Sequence, residues 1–211
     1  MRVVVSGLVL GALGVLAGCS SGSGGEGSDW PPPLPEALSL DEVVVLGDAI
    51  SAASRDLEFT DPAGLPTSGR AVYEGEMWIE AATYPEEVEG SVVPGFLLGQ
   101  LAMGVDFSDG EVVGQAGNFH TSDGEAYGGR LAITGGELDR DVNPNGGGWT
   151  YEADIDGTLT RDDDWVKVEG EFLGDFVGED HRFAEGRLDQ GEIRGSDGTV
   201  FDLEGRFIAQ R

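Results

Sequence analysis

Cysteine is almost missing from this chain: Cys19 is the only one in 211 residues. One thiol rules out an intrachain disulfide and a cysteine-built zinc cluster. Positive charge is scarce as well. Twelve basic residues stand against 40 acidic ones, Lys167 is the sole lysine, and the net charge is −28. Such a field repels phosphate backbones, so nucleic acid is excluded as a partner. No apolar run reaches the about 20 residues that a membrane-spanning helix needs; the longest is Val3–Leu16. No Gly-x-Ser-x-Gly stands on a strand-to-helix elbow, and a phosphate loop and a zinc-binding helix are lacking. The chain is therefore read as a non-enzyme, with no catalytic residue.

What is present begins at Met1-Arg2, followed by that apolar run and small residues. The pattern predicts a secretory signal over residues 1–18. Its end, Leu16-Ala17-Gly18-Cys19, resembles the lipobox of bacterial lipoproteins. The resemblance implies cleavage before Cys19 and acylation of its thiol and new amine, which anchors the chain to a membrane. Ser20 follows, where an aspartate would favour inner-membrane retention, so the same resemblance points to the outer membrane.

Residues 19–38, rich in Gly, Ser and Pro, read as a linker that holds the folded part away from the membrane. Ser39-Leu40-Asp41-Glu42 fits a capping box. Val43, Leu46, Ile50 and Ala53 follow at helical spacing, predicting a short helix over about 40–56, although Val43–Val45 also suits a strand. Residues 39–68 thus form a helix and lead-in.

From residue 69 to 211, segments of regular length alternate with Gly, Asn, Asp or Pro. About eight strands are expected, near 70–81, 95–107, 110–119, 128–138, 149–160, 164–177, 181–189 and 198–209. The sequential, even count predicts an all-β fold: an eight-stranded antiparallel up-and-down β-barrel with a short N-terminal helical segment. Val166, Val168, Phe172 and Phe176 share one face, while Lys167, Glu169, Glu171 and Asp175 take the other. Likewise Tyr151, Ala153, Ile155 and Leu159 oppose Glu152, Asp154 and Asp156. An outward face this acidic does not suit a lipid-facing barrel. Glycines at inward positions, such as Gly75, Gly170 and Gly174, leave room for large neighbours. The interior is expected to be packed, with Phe172, Phe176 and Phe207 against Trp149 and Tyr151.

The glycine spacing carries a family resemblance. Gly170-Glu171-Phe172-Leu173-Gly174-Asp175-Phe176-Val177-Gly178, then Ala184-Glu185-Gly186, resembles a region of the β-barrel domains of transferrin-binding protein B. Leu65–Gly69 with Tyr73 and Gly75 is similar to their first strand, Val105–Phe119 to a strand pair ending in Asn-Phe, and Gly205–Arg211 to their closing strand. The resemblance covers about 65–211. It implies a membrane-tethered, extracytoplasmic binding lipoprotein whose ligand is an iron or haem carrier protein or another envelope partner. The full receptors have two lobes with handle domains; here there is one barrel, and no matching residues carry over their iron-protein-binding surface. The competing expectation is a structural or assembly lipoprotein of the envelope.

Asp141, Asn143, Asn145 and Glu152 fit the D-x-N-x-N-G-x₅-E spacing of a calcium loop. The strand context, Pro144 and Gly148 favour an Asn/Gly turn instead. Asp162-Asp163-Asp164 offers a second acidic turn, and His120 and His181 are candidate ligands for haem iron or a transition metal.

Overall fold

The computed structural model describes residues 30–81 and 91–211. The expected signal and Cys19 lie outside the described residues.

Period-two alternation in Arg70–Ala81 (β1) buries Ala71, Tyr73, Met77 and Ile79 and exposes Val72 and Glu74. Phe96–Asp106 (β2), Glu111–His120 (β3), Ala126–Leu138 (β4), Tyr151–Arg161 (β5), Asp164–Val177 (β6), Phe183–Gly195 (β7) and Val200–Gln210 (β8) follow. All neighbours are antiparallel, and β8 pairs back onto β1, with Met77 opposite Phe207, so the sheet is a closed barrel. The expected boundaries match these within a few residues except at β7, which runs on to Gly195 through a bulge between Leu188 and Gly191.

The interior is solid. Phe172 stacks on Phe207 at 4.0 Å, and Tyr151 lies 5.2 Å from Phe176 and 6.1 Å from Phe172. Gly174 is what admits this cluster, since a side chain there would run into the Tyr151 ring and the tip of Phe207. Trp149 departs from the expected core. The β5 ladder starts only at Tyr151, so inward parity does not extend back to residue 149. Its indole stands on the outer wall instead, with the Arg187 guanidinium 5.1 Å from the ring centroid.

The helix α1, Leu40–Ser54, lies against the outside of the barrel. Glu42 accepts a hydrogen bond from the Ser39 N–H at 2.9 Å, as a capping box requires. Its buried stripe is Val43, Gly47, Ile50 and Ser54, so Val43–Val45 is helical and Ala53 faces solvent. Ile50 packs with Val177 and Phe183. The lead-in then crosses one barrel end, where Thr60 donates to the Phe176 carbonyl and Arg140 donates to the carbonyls of Leu65, Pro66 and Phe107.

Residues 30–38 are not a free spacer. They run over the outer face of β2 and β3. Trp30 and Pro32 fill the space that a side chain at Gly104 would take, and Leu34 fills that at Gly117. Gln115 donates to the Pro32 carbonyl at 2.7 Å, and Gln100 donates to Glu36 O and accepts from Leu38 N. Arg70 holds the start of this strap, over the Trp30 ring and 2.7 Å from Asp106. The strap explains why β2 is buried on both faces and why Phe96–Val105 carries no charge. A strand covered on both sides reads as a continuous apolar run.

Two consequences are measurable. Phe172→Ala removes a fully buried ring and should lower unfolding stability by about 3–5 kcal/mol in denaturant titrations, whereas Glu171→Ala, on the outer face, should change it by less than about 0.5 kcal/mol. Gly104→Val should displace Trp30 and expel the strap, seen as faster amide exchange in β2 and β3 with the barrel still folded.

Candidate functional site

A packed barrel offers no lumen, so a site has to be sought on its walls and ends. Register places three rows of side chains on the outer wall of β1, β8 and β7. Glu80 lies opposite Glu204, Trp78 opposite Arg206, and Glu76 opposite Ile208. Arg206 is also opposite Arg187, and Ile208 opposite Glu185. Asp189 follows Arg187 by two residues on the same face and binds it at 2.8 Å. The wall is thus banded: carboxylates, then Trp78–Arg206–Arg187, then carboxylates again.

The middle band has two like charges directly opposite each other, an arrangement that disfavours the ladder. Each guanidinium instead settles on an indole: Arg206 is 4.4 Å from the Trp78 ring centroid, and Arg187 is over Trp149. Stacking holds the planar forks in place; Arg187 already gives an N–H to Asp189, while the Arg206 fork is free of a carboxylate among the described residues. Both arginines are exposed, and among the described residues Arg206 has no ion-pair partner. Two grooves of about 490 and 430 Å³ share this pair. The first extends over Glu80, Glu204 and Asp189, and the second over Glu76, Glu185 and Asp48 of α1.

The second groove contains costly groups. The Glu76 carboxylate lies against the backbone of α1, in the space that any side chain at Gly47 would fill, which accounts for a glycine in mid-helix. Burial pushes the Glu76 carboxyl above its usual range, an effect that Arg206 partly offsets. Burial and the Asp175 charge raise Glu185 in the same direction. Asp175, opposite Glu185 in the ladder, is raised by burial despite accepting hydrogen bonds from the Thr150 N–H and hydroxyl.

The residues singled out by spacing lie elsewhere. Asp141, Asn143 and Asn145 belong to the β4–β5 connection, which folds as a turn around a short 3₁₀ helix, Pro144–Gly146. Glu152 sits opposite Glu137 and shares a shallow cleft with it and Asp139, which Asp141, Asn143 and Asn145 do not line. Among the described residues no three His, Cys, Asp or Glu side chains form a group suited to a metal ion. Asp162 and Asp163 form the tight β5–β6 turn, with Asp162 at φ 52°. His120 Nε2 lies 3.1 Å from the Leu38 carbonyl and pins the strap. His181 Nε2 lies 3.0 Å from Arg211, and burial followed by the Arg211 charge lowers its pKa.

Trp78, Arg187 and Arg206 are not among the site residues that the sequence points to, and Trp149 is expected there only as a core residue. A signal exists in Glu185-x-Arg187-x-Asp189 and Glu204-x-Arg206. In a chain so poor in positive charge, these are acid-flanked arginines at the same depth of consecutive strands. Recognising it requires the β7–β8 register, which the bulge obscures.

No helix among the described residues is long and apolar enough to cross a membrane. Comparison with models of known protein families finds no match, and comparison with curated proteins finds no relative.

The raised carboxyls of Glu76, Glu185 and Asp175 favour protonation in the folded state. Their contribution to stability is complete below the unfolded pKa, about 4, and is lost as pH rises through the folded values. The melting temperature should therefore rise as pH is lowered from neutrality toward the unfolded carboxyl value of about 4. The double variant Glu76→Gln, Glu185→Gln should flatten that rise; an equally steep rise would show that other groups cause it.

Proposed function

We propose that this protein is a lipid-anchored, extracytoplasmic binding module of the bacterial envelope, more specifically of the outer membrane, and that it engages a protein partner through the outer wall of β1, β8 and β7. The anchor rests on Leu16-Ala17-Gly18-Cys19. The barrel resemblance supports the binding class. The observation that carries the reading is the Trp78–Arg206–Arg187–Trp149 band. Tryptophan and arginine are the residue types that dominate interface energetics, and here they are grouped on the outer wall, the two arginines exposed and the two indoles half-buried.

Two measurements test this. Cys19→Ala should move the protein from the membrane to the soluble fraction; equal retention of the variant would remove the anchor. Pull-down from detergent-solubilised envelopes should enrich a partner with the native chain as bait. The double variant Arg187→Gln, Arg206→Gln should lose at least 90% of it, by roughly the tenfold rule for 1.4 kcal/mol. Capture that is indifferent to both arginines would place the interface elsewhere.

A further inference from the structure

The banding of the wall has a definite complement. Glu76, Trp78 and Glu80 are consecutive outward positions of β1, as are Glu185, Arg187 and Asp189 in β7, and Glu204 and Arg206 in β8. Along the strand direction the surface therefore reads negative, positive, negative. Successive bands are two residues apart, about 6.8 Å in an antiparallel strand. An extended peptide places its own alternate side chains at the same spacing and on one face.

Resting on the reading of this wall as the binding face, we propose that the occupant is an extended segment of a partner protein with the pattern basic-x-acidic-x-basic. Its central carboxylate sits between Arg187 and Arg206. Its two flanking cations face Glu80 and Glu204 on one side and Glu76 and Glu185 on the other.

Three observations converge on this class. A guanidinium fork suits bidentate recognition of a carboxylate; Arg206 has no ion-pair partner among the described residues to compete for it, and Arg187, paired with Asp189, supplies the second cation. A net charge of −28 repels a purely acidic segment, so the carboxylate must arrive with basic neighbours. The closed barrel leaves no free strand edge, which removes pairing by main-chain hydrogen bonds and leaves recognition to side chains. The two grooves also meet at the arginine pair, as a ligand centred there requires.

The test uses the full chain in detergent and three acetylated, amidated peptides, titrated by calorimetry at low salt. Arg-Ser-Glu-Ser-Arg has the proposed pattern. Glu-Ser-Arg-Ser-Arg has the same charge in another order. Arg-Ser-Gln-Ser-Arg is more positive and lacks the carboxylate. Attraction by the overall field alone favours the third, whereas the arginine pair favours the first. The first peptide is expected to bind at least tenfold tighter than the other two. Arg187→Gln with Arg206→Gln should reverse the order, making the third peptide the tightest; Arg206→Gln alone, at an exposed and unpaired position, gives the same readout should the double variant fold poorly. Tightest binding of the third peptide to the native chain, or equal binding of the first two, overturns the proposal. Loss of the peptide preference while envelope capture still depends on both arginines overturns the ligand class and leaves the wall reading standing. The preference without any capture supports the ligand class and overturns the envelope-receptor reading.

Discussion

The pairing of β8 with β1 is the constraint on which the other features depend. Met77 opposite Phe207 and Trp78 opposite Arg206 belong to one ladder, so closure sets the inner and the outer face together. A slip of one residue would turn Phe207 outward and Arg206 into the core, and a buried guanidinium without partners is costlier than any ring contact it replaces. Parity thus selects the register, and register aligns the outward residues of three strands into bands. The wall described above follows from how the core is filled.

Filling the core also decides where binding can occur. Inward glycines in many barrels open a lumen, but here Gly174 gives its space to Tyr151 and Phe207. With the interior filled and one end crossed by the lead-in, the binding proposed for this chain falls to the outer wall. That outside is divided. The strap covers β2 and β3, α1 rests near β1 and β8, and the bands of β1, β8 and β7 stay open. Trp30, stacked under Arg70, holds the first described residue of the strap against the barrel.

Much of the fold was legible because its signals are local. Alternation in Tyr151–Leu159 and Val166–Phe176 places those strands without any neighbour, and Ser39 with Glu42 marks the helix start. Failures arise where tertiary contact overrides the local pattern. Trp149 continues the parity of β5 in sequence but not in space, because its ladder begins at Tyr151. The segment 30–38 has the composition of a spacer, yet Gly104 and Gly117 provide bare backbone on which prolines and Leu34 can pack. The uncharged stretch Phe96–Val105 announced a covered strand, but it did not say what covered it. The candidate site was the least legible, since Arg187 and Arg206 become neighbours only through a register that includes a bulge.

The carboxylates around the arginine pair are kept at a cost. Glu76, Glu185 and Asp175 are all held where burial disfavours their charge, and Gly47 gives up helix propensity to admit one of them. A wall that only packed α1 against β1 would be better served by apolar residues at these positions. Keeping charge there makes the groove electrostatically strong, because a low-dielectric surround weakens screening of whatever binds. The same carboxylates that destabilise the free protein at neutral pH would gain partners when a cation is seated beside them. Strain in the unbound wall and affinity for a mixed-charge segment are then two readings of one arrangement, with Arg206 already supplying part of the compensation at Glu76.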